Sequence, residues 1–158
     1  MTTTQPSGHP TSESDDREEE LMQRIGAMLL DVAPEAWRRI DLLVKLNVKV
    51  HDFELTVYLE NGKTAEVFPP EGLTKVFAEL RQLLYQPGRG AWFAARLTLD
   101  APGRLDLSYN MDHDPLWNPP IPAEYWARDL EVFPRDEAFI PDWLRAKLDD
   151  AGDEEQKA

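Results

Sequence analysis

The sequence has no cysteine. That absence excludes a disulfide framework, a thiolate zinc site and a cysteine nucleophile, and it fits a reducing compartment, so the cytoplasm is the expected location. Basic residues are scarce: 17 Lys plus Arg stand against 30 Asp plus Glu, a net charge of −13. A phosphate backbone is gripped by a basic footprint, so direct nucleic-acid binding is not expected. No apolar run approaches the roughly 20 residues of a membrane span, and the first residues lack the basic end and apolar stretch of a secretory leader. Neither a membrane partner nor export is therefore expected. Histidine occurs only at His9, His51 and His113, and Ser108 is the only serine after Ser14. What remains is a chain of 158 residues, 42% apolar, enough for one domain with a substantial core.

The acidity is unevenly placed. Residues 1–20 carry six acids against Arg17, and residues 149–158 carry five against Lys157. Residues 21–109 balance, with eleven acids and eleven bases, whereas 110–142 holds eight acids against Arg128 and Arg135, a net of −6. Apart from Met1 there is no large apolar residue in 1–16, so nothing there offsets the entropy of ordering the backbone. The expected organisation is a disordered acidic leader over 1–16, a single domain over 17–149 and a disordered acidic tail over 150–158.

Within the domain, Leu21, Met22, Ile25, Met28, Leu29 and Val32 recur at helical intervals, behind acids that suit the positive end of the helix dipole. Alternation then takes over through Ile40, Leu42, Val44, Leu46, Val48 and Val50, and changes parity to Phe53, Leu55, Val57 and Leu59. A two-residue turn at His51-Asp52 reconciles the two runs, pairing Val48 with Leu55, Leu46 with Val57 and Lys49 with Glu54. For the next hairpin a three-residue loop Glu60-Asn61-Gly62, with Gly62 left-handed, sets Val57 against Ala65 and Leu55 against Val67. A second amphipathic helix is expected from Glu71 to Tyr85, before Pro87-Gly88. Phe93 to Leu99 and Leu105 to Tyr109 form a second hairpin around Asp100–Arg104, and short helices follow over 123–130 and 141–148. The order α-β-β-β-α-β-β-α-α predicts an α+β fold: an antiparallel five-stranded sheet with helices packed on one face.

Asp112-His113-Asp114 invites a metal or acid–base reading, but a strand would point the histidine away from both carboxylates. A solvated turn and an acidic partner-binding patch are the other readings of this tripeptide. Ser108 with His113 as base lacks a nucleophile elbow, and Gly88-Arg89-Gly90 leads into a strand, not into the helix amino terminus that would hold a phosphate. Pro119 to Pro122 fits either a polyproline ligand or a rigid connection. Trp117, Tyr125, Trp126, Phe133, Phe139 and Trp143 all fall in or beside the acidic stretch. They read as a second small core, as aromatic anchors of an interface with an acidic rim, or as both, with Trp126 and Trp143 inward and Asp112, Asp114, Trp117 or Glu124 outward.

Several segments together resemble a known family. They are the opening helix with Pro34-Glu35-Ala36-Trp37, the helix Leu73 to Leu84, and above all Gly90-Ala91-Trp92-Phe93 through Asp100 and Gly103-Arg104 to Tyr109. In these the chain is similar to the YezG-like immunity or antitoxin proteins, which protect bacteria from secreted polymorphic toxins, many of them nucleases. It departs from the family pattern at Met111, where a second aromatic is usual. The resemblance implies a cytoplasmic immunity protein that neutralises a cognate toxin domain by covering its active site, as a monomer or in a 1:1 complex, without catalytic residues, cofactor or metal. Asp112, His113, Asp114, Trp117 and Glu124 are the expected partner-binding residues. A chaperone or adaptor for a secreted effector, and a hydrolase using Asp112, His113 and Asp114 with a metal, are the alternatives.

Overall fold

The computed structural model describes residues 12–157, except for the side chains of Ser12 and 153–157. Trp37–Leu46 (β1) alternates half-buried and buried positions from Arg39 onward because it is the central strand. His51–Leu59 (β2) and Thr64–Ala65 (β3) lie on one side of it, Ala94–Asp100 (β4) and Arg104–Asn110 (β5) on the other. The order is β3-β2-β1-β4-β5, antiparallel throughout, which is the expected α+β sheet.

Two helices cover one face. Ser12–Val32 (α1) places Leu21, Ile25 and Leu29 four residues apart, all fully buried, and Leu73–Leu83 (α2) adds Leu73, Val76, Phe77 and Leu80. They pack on Ile40, Leu42, Val44, Val57, Ala95, Leu97 and Leu99 as one continuous core. The side chains at Arg39, Asp41, Glu54, Arg96, Thr98 and Asp106 alternate with these and mark the opposite, polar face. The α1 helix runs antiparallel along β5: Gly26 sits over Leu105 and Glu18 meets the Tyr109 hydroxyl. Four strand residues span roughly 13 Å and eight helix residues about 12 Å, so the two elements keep pace. A Cβ at Gly26 would lie 3.3 Å from Leu105 Cδ1, which is why a small residue stands there.

Two expectations about the sheet meet different fates. Gly62 has φ +86° and Val57 pairs with Ala65, as the bulged loop requires, although the ladder ends at Ala65 and Val67 packs on the core without a strand partner. The β1–β2 register is corrected: Leu46 faces His51, Val44 faces Phe53 and Leu42 faces Leu55, so the turn is Asn47–Val50 and not His51-Asp52. Asn47 causes the shift. Its backbone exchanges hydrogen bonds with Val50, its Oδ1 accepts the Lys49 N–H, and its Nδ2 donates to the Tyr125 carbonyl. The displacement is even, so the buried face is unchanged, but Lys49 loses Glu54, and Lys45 opposite Asp52 is the charged cross-strand pair that forms.

The termini also differ from expectation. The first helix begins at Ser12, inside the segment assigned to the leader, and residues 1–11 lie outside the described residues. At the other end Ala123–Val132 (α3) is followed by a 3-10 turn at Glu137–Phe139 and by Asp142–Lys157 (α4). The fourth helix thus continues through the segment assigned to the tail, with Ala151 buried. No helix among the described residues is long and apolar enough to cross a membrane.

Candidate partner-binding surface

Phe93 leaves the sheet just before β4 and begins a second core with Trp126 and Leu144. Phe93, Trp126 and Trp143 meet mutually edge-on, with ring centroids 5.2–5.8 Å apart, an arrangement that aligns ring edges with ring faces. Charge fixes this core to the first. Arg81, at the end of α2, donates two hydrogen bonds of 2.7 Å to the Asp129 carboxylate and one of 2.6 Å to the Trp92 carbonyl. Asp129 also accepts the Val48 N–H, so a single buried ion pair ties α2, α3 and the β1–β2 turn together. The guanidinium lies over the Phe133 ring.

Arg135 makes a second tie, to the segment after β5. It donates to the carbonyls of Ala91, Met111 and Phe139 and stacks over Phe93 at 4.5 Å. Burial pulls this guanidinium below its ordinary pKa, while the nearby Asp112 carboxylate opposes that shift. Gly90 makes the close approach possible, since a Cβ there would meet the Arg135 side chain at 2.3 Å and the residue holds φ +113°.

The segment from Asn110 to Trp117 is therefore well determined. The Asn110 amide both donates to the His113 carbonyl and accepts the His113 N–H. Asp112 takes Arg89 at 3.1 Å and Arg135 at 3.7 Å, and its carbonyl accepts the Trp143 indole N–H. One oxygen of Asp114 accepts the Leu116 N–H, and the Leu116 carbonyl accepts Lys45 Nζ. Held from both sides, Leu116 adopts φ +61° with 71% of its surface exposed.

Of the five residues expected to contact a partner, His113 and Glu124 are exposed and Asp114 is half-buried at the turn. Asp112 is half exposed but already paired with two guanidinium groups. Trp117, expected on the rim, packs against the second core and buries its indole nitrogen. Glu124 lies on the first turn of α3, where a carboxylate suits the helix dipole. The acidic tripeptide does not converge on a shared point, and among the described residues no group of three or more His, Asp or Glu side chains could hold a metal ion. Leu116 was missed by sequence reasoning, because its unusual backbone is held by Lys45, 71 residues away in the chain, as well as by Asp114 beside it. A separate cleft of about 520 Å³ lies between the β1–β2 turn, α2 and the end of α3, with Leu46, Val48, Val50, Tyr85 and Phe133 in its walls and Lys49 and His51 among its lining.

Compared with protein-family models and with curated proteins, the chain matches none of them.

Proposed function

We propose that the protein is a cytoplasmic immunity protein, an antitoxin that binds a cognate secreted toxin domain and blocks its active site, with a nuclease as the favoured toxin class. The observation that carries the reading is Leu116. A β-carbon at positive φ costs about 1–2 kcal/mol in a left-handed conformation, and a leucine side chain left mostly exposed returns little to a free monomer. Strain and exposure on one residue, in a segment fixed by Asn110, Asp114 and Lys45, make sense as a preorganised apolar anchor for a partner. Asp114 and His113 precede it in the same turn and Glu124 is exposed on the first turn of α3, polar and acidic groups suited to the cationic groups with which a nuclease holds phosphate. The resemblance to the YezG-like family points the same way, and the protein's part in this reading is binding alone.

Titration of the protein into an activity assay of the toxin domain tests the proposal. Activity should fall stoichiometrically and stop falling at one equivalent. Retained activity in the bound complex would make the protein a chaperone or adaptor and overturn the immunity reading. Asp114→Asn with Glu124→Gln removes two charges while keeping the turn's hydrogen bond to Leu116, so affinity should drop and its salt dependence should flatten. Reversal of Asp112 is a poorer probe, because it would strand Arg89 and Arg135.

A further inference from the structure

We infer that the free edge of β5 takes an extended, basic segment of a protein partner as a sixth strand of the sheet. β5 ends the strand order, so half of the backbone N–H and C=O groups over Arg104–Asn110 point away from β4, a template for strand addition. Leu105, Leu107 and Tyr109 pack on the core yet stay only partly buried, because nothing covers them from the edge side among the described residues.

The wall beside this edge selects the occupant. A groove of about 500 Å³ runs between β5 and α1, lined by Asp15, Glu18, Glu19, Met22, Gln23 and Leu105. The five helix positions fall three and four residues apart, so they form one stripe along the helix, with its acidic end at the Tyr109 end of the strand. Three of them are acids. Arg17 does not neutralise these three, since it is turned to Glu79 of α2 and to Glu20. On the other side of the strand Arg104 and Asp106 pair with each other at 3.3 Å, which leaves that side balanced. A strand with apolar and Lys or Arg side chains facing α1 would cover Leu105 and Leu107 and place its cations on Asp15, Glu18 and Glu19. A second copy of this chain is disfavoured: β5 paired with its own twin would bring two acidic α1 stripes to the same seam, in a molecule of net charge −13. This surface adjoins the Leu116 segment but does not depend on it. The inference rests on the proposed function only in taking the partner to be a protein.

The probe is a capped heptapeptide alternating lysine and valine, matched to the seven residues of β5. Added to the full chain, it should slow hydrogen exchange at the outward amides of Arg104–Asn110 and bind at least tenfold more tightly than the glutamate–valine counterpart. Methylating its edge-facing backbone nitrogens keeps the charge and removes the ladder, and should cost at least tenfold in affinity. So should Asp15→Lys with Glu19→Lys, which leaves the Tyr109–Glu18 hydrogen bond in place. Equal binding of the methylated peptide, no protection in β5, or a dimer of the free chain with β5 protected would each overturn the inference. Leu116→Asn should leave peptide binding unchanged, so failure at the edge and failure of the Leu116 reading are separable.

Discussion

The core beneath the sheet and the core around Trp126 are assembled by different means. The first is mainly aliphatic, with Leu21, Ile25, Leu42, Leu80 and Leu97 interleaved across two helices and a sheet around the buried rings of Phe77 and Trp92. The second is a small aromatic group joined to the first by buried guanidinium groups, Arg81 on Asp129 and Arg135 on three carbonyls. Apolar burial is non-directional and tolerates repacking, whereas a buried ion pair fixes one geometry and is costly when broken. The difference explains the architecture of the candidate surface. The second core offers buried, directional anchors, and the Leu116 segment is fastened to it through Asp112, Met111 and Trp143.

The sharpest way to break this contrast is Asp129→Ala, which strands Arg81 in the interior. Urea denaturation should show a loss of about 3–5 kcal/mol, and Arg81→Met with Asp129→Leu should recover most of it. A purely apolar account of the joint would make the single variant mild. Leu97→Ala and Leu144→Ala then sharpen the comparison, since both side chains are fully buried and each should cost about 2–5 kcal/mol. Hydrogen exchange should separate them: Leu144→Ala should loosen α3 and α4 while β1 and β4 stay protected, and Leu97→Ala should loosen the whole sheet. Arg135→Lys should cost about 1–3 kcal/mol, because an ammonium cannot reach three divergent carbonyls and stack on Phe93.

Smaller still is an alkaline effect confined to the α1–β5 contact. Burial, and then the Glu18 carboxylate, raise the Tyr109 phenol above its ordinary pKa of about 10. The folded chain therefore holds that proton more tightly than the unfolded one. The stabilisation is complete below about pH 10 and is lost as pH rises beyond it. Tyr109→Phe should lose stability less steeply than the parent chain between about pH 10 and 12 in denaturation titrations.

Leu116→Asn addresses the strained residue. Asparagine tolerates the left-handed region better than leucine, so stability should hold or rise by up to about 1 kcal/mol in the same denaturation series.

The aliphatic core was readable because periodicity is a local signal: alternation of Ile40 to Leu46 and helical spacing of Leu73 to Leu84 each declare a face without reference to the rest of the chain. The β1–β2 register was not, since Val48 and Val50 continue the alternation and only Asn47, held by Tyr125 nearly eighty residues on, stops the strand. The acidic ends misled for a related reason. Composition alone argues against order at 12–16 and 150–157, yet both stretches extend long amphipathic helices whose large apolar residues lie elsewhere in the helix, although Ala151 of the second stretch is buried. At the candidate surface the choice of segment came from charge and aromatic content, but composition cannot reveal that Asp112 is spent on two arginines, that Trp117 turns inward, or that Leu116 is the exposed anchor. The arginines that take Asp112 are 23 residues away in the chain and the lysine that holds Leu116 is 71.

Hydrogen exchange of the protein alone and in complex with its toxin domain tests the central claim most directly. The account predicts that exchange slows in the segment from Met111 to Trp117, including the Leu116 amide, and that Leu116→Asn abolishes this protection while the free protein stays folded. Slowed exchange confined to the cleft between the β1–β2 turn and α2, with 111–117 unchanged, would contradict it.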